Sequence, residues 1–143
     1  MAERSRAALA AGLLLASVVS APAVAEPAID CAKASSTPEI AFCADKDFQA
    51  ADAALNAAYK AMMARIDAAT SEDDNTARTQ RRSWREAVTE AQRKWIAFRD
   101  TDCAAVGAAW MGGTGMGAAV STCLAETTRA RTAELKKRVR DGN

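Results

Sequence analysis

The sequence predicts an all-α protein: a small, disulfide-stapled helical bundle with a long antiparallel helix hairpin and a C-terminal helix packed back on it. Three observations predict it. Apolar residues recur at four- and seven-residue spacing through three long stretches, with no alternating strand pattern between them. A polar, acidic segment and a glycine-rich segment interrupt those stretches, as connections between helices do. Four cysteines, an even number in a short chain of 143 residues, suit two disulfides in an exported domain.

The chain opens with an expected leader. Arg4 and Arg6 precede an apolar run from Ala7 to Val19, and Ala21-Pro22-Ala23-Val24-Ala25 supplies the small residues of a cleavage site before Glu26. The run is about 13 residues, against the roughly 20 that a membrane-spanning helix requires. No cysteine follows it closely enough to make a lipobox, since Cys31 lies beyond the cleavage site. The expectation is a cleavable signal peptide over 1–25, a helical domain over 26–143, periplasmic or secreted localisation, and no membrane anchor in the mature form. Losing Arg4, Arg6 and Glu3 with the leader leaves basic and acidic residues in equal number. A neutral total gives no electrostatic case for nucleic acid or an anionic membrane.

Within the domain, Pro27 to Ser36 reads as an irregular lead-in. Thr37-Pro38-Glu39 then starts a short helix to about Ala44, with Thr37 as N-cap and Pro38 at the first helical position. A second helix is expected from about Asp47 to Ala69, its stripe formed by Phe48, Leu55, Tyr59, Met62 and Ile66 among helix-favouring alanines. Asp52 is the odd residue on that stripe. Thr70 to Asn75 is the acidic connection. The third helix, about Thr76 to Val106, carries Trp84, Val88, Ala91, Trp95, Phe98 and Val106, with Gln92, Arg99, Asp102 and Cys103 alongside. Its heptad spacing matches the second helix, so the two should form the hairpin. Glycines 112, 113, 115 and 117 break the pattern. A last helix, about Ala118 to Arg140, aligns Val120, Leu124, Thr128, Arg131, Leu135 and Val139, and its basic end suits a helix C-terminus.

Four cysteines allow three pairings. Cys31–Cys43 and Cys103–Cys123 are favoured because each closes a short local loop; a loop of about 20 residues stabilises by roughly 3 kcal/mol on the chain-entropy account. A structural zinc is the rival reading, but the spacings are not those of paired CxxC knuckles and the chain has no histidine.

Two sets of residues stand out as candidate sites. Asp52, Gln92, Arg99 and Arg131 are polar residues on or beside apolar stripes. They form either a ligand site between helices or a buried network in which arginine pairs with carboxylate, and the network is favoured because an unpaired buried charge is very costly. Trp110, Met111, Gly112, Gly113 and Met116 form a turn tethered by the expected Cys103–Cys123 bridge. Trp110 either caps the bundle end or presents an aromatic and two thioethers to a partner, residue types enriched at interface centres. The turn lacks the Gly-Lys-Ser/Thr ending of a phosphate cradle. Without histidine or CxxC, and with no serine or cysteine beside a credible base, no catalytic residue, metal or cofactor is expected.

The order of landmarks resembles the LprI-like lysozyme inhibitor family. The resemblance runs through Asp30-Cys31, Glu39-x-x-x-Cys43 and Ala51-Asp52-x-x-Leu55-x-x-x-Tyr59. It continues through Ala91-Gln92-x-x-Trp95-x-x-Phe98-Arg99-Asp100-x-x-Cys103, then Cys123-Leu124-x-x-x-Thr128-x-x-Arg131-x-x-x-Leu135. It implies a non-enzymatic envelope protein that inhibits lysozyme by occlusion, with lysozyme or another envelope protein as partner. The family's namesake type is lipid-anchored, whereas this chain has no lipobox. Lysozymes are as a class strongly basic, whereas the mature domain is neutral overall. The alternative is a structural or stress-related periplasmic interaction protein without lysozyme inhibition.

Overall fold

A computed structural model describes residues 29–69 and 75–142. The expected leader and the acidic connection through Asp74 lie outside the described residues. The elements are α1 (Thr37–Ala68), α2 (Asn75–Ala108) and α3 (Met116–Asp141). The short helix and the second helix expected from the sequence are one: α1 runs unbroken for 32 residues. Nothing between Ala44 and Asp47 breaks a helix, because Asp45 and Lys46 are merely polar and lie on the exposed side. Its N-cap is Ser36, one residue before the expected Thr37. The Ser36 hydroxyl accepts from the Glu39 amide at 3.4 Å, and the Glu39 carboxylate accepts from the Ser36 amide at 3.0 Å. This is a capping box, which satisfies donors at both ends of the first turn.

The helices run up, down and up. Asp47 of α1 pairs with Arg129 of α3, and Leu55 and Ala58 pack on Leu135, so α1 and α3 are parallel. Tyr59 meets Thr89 and Asp67 meets Arg85, so α2 is antiparallel to α1. The tighter packing is between α3 and α1, while α2 leans on α3 and touches α1 less. A hairpin therefore describes the order of the helices better than their packing. Two apolar clusters fill the centre, Leu55–Ala58–Leu135 and Met62–Met63–Ile66–Val88, with Tyr59, Trp84, Trp95 and Val139 at their margins.

The α1 and α3 stripes pack inward largely as their spacing implies. On α2 the inward line differs. Val88, Gln92, Arg99 and Cys103 are buried, whereas Phe98 is 60% exposed and Val106 39%. The reason is helical phase: Gln92, Arg99 and Cys103 follow Val88 at steps of four, seven and four, and bend the buried line away from Phe98. The core is thus partly polar, and the disulfides matter accordingly. Cys31 is joined to Cys43 and Cys103 to Cys123. The start of α1, the end of α2 and the start of α3 share one end of the bundle, so both bridges lie there. Among the described residues no helix is long and apolar enough to cross a membrane.

Candidate functional site

The four singled-out polar residues fall into two linked groups beneath the stapled end. Arg99, with only 8% of its side chain exposed, donates to the Thr128 hydroxyl at 3.1 Å, to Asp100 at 2.9 Å and to Asp52 at 3.4 Å. Arg131, equally buried, donates to the Gln92 side-chain carbonyl at 3.1 Å and to Glu134 at 2.6 Å. The Trp95 ring joins the groups: the Arg99 and Arg131 guanidinium carbons lie 5.3 and 5.8 Å from its centroid. Arg99 is also 5.2 Å from the Phe48 ring. Planar, weakly hydrated guanidinium groups stack on aromatic faces, which lets them lie inside a small core. Asp52 is placed differently from the rest: its side chain is 42% exposed, so it leans over the network from the rim.

Sequence reasoning missed Thr128, Asp100, Glu134 and Phe48 as network members. Glu134 was findable, three residues after Arg131 and hence on the same helix face. Partial burial pushes the Glu134 carboxyl up, but the Arg131 hydrogen bond and charge, aided by Arg138, outweigh it and hold the acid below its usual value. Thr128 shows no such signal, since its spacing alone reads as core.

The second set forms the turn between α2 and α3. Met111 is in the left-handed region (φ 49°), and Gly112 follows at φ 81°, where a glycine is free of the Cβ penalty. The pair of positive φ values reverses the chain and leaves the Met111 side chain 93% exposed. Trp110 folds over Gly115: a Cβ there would come within 2.3 Å of its ring. The indole thus supports the turn on one face and is 49% exposed on the other, beside Met116 at 41%.

Electrostatics separate the two ends, although the chain's net charge is only +1. Near the stapled end lie Asp30, Glu39, Asp45, Asp47, Asp52, Asp100, Asp102 and Glu126, with Lys33, Lys46, Arg99 and Arg129 as nearby cations, Arg129 pairing with Asp47. Towards the other end α2 begins with Arg78, Arg81, Arg82 and Arg85, and α3 finishes with Lys136, Lys137, Arg138 and Arg140. A total charge conceals this gradient, because the acidic start of α1 offsets the basic start of α2 and the basic end of α3.

A protein-family model described as "Lysozyme inhibitor LprI" matches residues 30–135, which takes in both disulfides, the turn and the whole polar network. The chain belongs to the LprI lysozyme inhibitor family. A curated relative described as "Uncharacterized protein R02472", from Rhizobium meliloti (strain 1021), is 43% identical over 133 residues, covering 91% of this chain and 94% of its own length. No solved structure matches the chain. The LprI match stops six residues before the end of α3, so the basic tail of that helix lies beyond the family's shared core.

Proposed function

We propose that this LprI-family chain is an exported, non-enzymatic binding protein of the bacterial envelope that inhibits a lysozyme by occlusion. The observation that carries the reading is the family match, which spans all three helices. The exposed Trp110, Met111 and Met116 supply the apolar centre of the contact, because large exposed aromatic and thioether groups gain most from leaving water. The acidic groups around that end supply the attraction that the neutral total lacks: a basic enzyme meets the local field of the near end, since distant charges are screened beyond about 10 Å. Export is supported by the leader-like residues 1–25 and by two disulfides, which persist in oxidising compartments. The polar network serves to hold the helix register beneath the turn. Titrating the oxidised domain, residues 26–143, into a lysozyme assay tests the reading. Saturable loss of activity is expected; a flat titration at micromolar protein removes inhibition and leaves the structural or stress-related role.

A further inference from the structure

The described methionines fall into two pairs. Met62 and Met63 lie in the core, 1% and 8% exposed, whereas Met111 and Met116 stand at the turn, 93% and 41% exposed. The fold makes no use of the Met111 side chain. Backbone hydrogen bonds build the turn: Met111 N–H donates to the Ala108 carbonyl at 3.1 Å, Gly113 N–H to that of Trp110 at 2.8 Å, and Met116 N–H to that of Gly113 at 3.0 Å. The Trp110 ring against Gly115 and the Cys103–Cys123 bridge hold it further. Met111 moreover sits at φ 49°, a left-handed conformation in which a glycine avoids the Cβ clash. A side chain is thus kept where the backbone favours none, and it is a thioether. Among the described residues no cysteine is free, so the two turn thioethers are the reduced sulfur that an oxidant in solution can reach.

We propose that Met111, and behind it Met116, is a reversible oxidation site at which a hydroperoxide makes the apolar turn polar and ends its contact with the partner. The inference rests on the turn being the contact with lysozyme, and adds the regulation of that contact. The lone pair of the thioether sulfur forms the S–O bond as the O–O bond breaks. The departing oxygen keeps the bonding pair and takes the proton from the transferred oxygen, leaving as water when the oxidant is hydrogen peroxide. Sulfur is oxidised by two electrons and the peroxide reduced by two. In the reverse direction a dithiol supplies two electrons and two protons, becomes a disulfide, and the oxygen leaves as water. The sulfoxide oxygen is a strong acceptor, so burying it at the centre of an apolar contact leaves it without a donor. Met116 lags because its Cγ lies against α2 at Gly107, 3.5 Å from where a Cβ there would stand. Neither sulfur takes part in the bonds that build the turn, so the fold survives the change.

Hydrogen peroxide treatment of the disulfide-bonded protein, followed by peptide mass spectrometry, lysozyme inhibition and thermal melting, tests the site. Oxygen should be added at Met111 first and at Met116 more slowly, with Met62 and Met63 roughly tenfold or more behind Met111. Each protein is compared with itself before and after treatment. Inhibition by the wild type should weaken roughly tenfold while its melting temperature stays within a few degrees. Methionine sulfoxide reductase should restore it, measured against untreated protein carried through the same step. Peroxide should leave the inhibition of a Met111→Leu, Met116→Leu protein where it was. Met111 oxidising no faster than Met62, a treated wild type that inhibits as before, or a double variant that loses as much as the wild type would each overturn the proposal. An untreated wild type without inhibition refutes the occlusion reading and takes the oxidation site's role with it, a result seen before any peroxide is added.

Discussion

Arg99→Ala probes whether the polar core is structural. Arg99 touches two rings, one buried hydroxyl and two rim carboxylates. Losing both ring stacks costs about 1 kcal/mol each. Thr128 is fully buried, and its hydroxyl loses a charged donor, for about 1–2 kcal/mol. Asp52 and Asp100, 42% and 54% exposed, turn to water and contribute little more. The sum is about 3–4 kcal/mol, which in a domain of this size lowers Tm by roughly 12–16 °C. Arg99→Met keeps a long stem between Phe48 and Trp95 and should lose less, because a well-packed apolar replacement of a buried ion is tolerated. Thermal melts of the oxidised proteins, followed by far-ultraviolet circular dichroism, read both. An Arg99→Ala protein that melts within a few degrees of the wild type while losing its partner would refute the reasoning and make Arg99 a binding residue.

Other expectations follow from the same contacts. Replacing Cys103 and Cys123 by Ser opens a loop of 20-residue separation and should cost about 3 kcal/mol in urea unfolding, with the turn becoming the first site of proteolysis. Gly115→Ala drives a methyl group into the Trp110 ring, so tryptophan emission should shift to the red while the helical signal is kept. Stability should fall on acidification. Hydrogen bonds from the Ser36 backbone and side chain and the Ser35 backbone hold Glu39 below its usual value near 4.5, and Arg131 and Arg138 do the same for Glu134 against its partial burial. The unfolded chain then binds more protons in that range. The contribution is complete above about pH 4.5 and is lost as pH drops through the depressed folded values. Ser36→Ala should flatten the Glu39 part of the profile.

Much of the fold was legible because its determinants are local. Leu55, Met62 and Ile66 at steps of seven and four, the Pro38 start and the run of glycines each act within a turn or two, and short loops favour the cysteine pairing that the structure contains. The break expected after Ala44 was an error of a different kind: no residue there opposes a helix, so α1 continues. Phe98 was misplaced because hydrophobicity alone cannot tell which of two adjacent faces turns inward. The choice rests on Arg99 finding Thr128 and the Phe48 ring, 29 and 51 residues away in sequence, besides the neighbouring Trp95 ring. The polar residues were visible as oddities on their stripes, but their grouping around Trp95 depends on how three helices meet. The charge gradient was hidden for the same reason: it appears only once the acidic start of α1 and the basic end of α3 are seen at opposite ends of the bundle.

The most direct measurement is inhibition of a lysozyme by the oxidised wild-type domain, run beside a Met111→Glu, Met116→Glu protein. Both side chains are exposed, so the variant should melt like the wild type. The account predicts saturable inhibition by the wild type and its loss in the variant. Equal inhibition by both would contradict the role of the turn, and inhibition by neither would contradict occlusion of lysozyme itself.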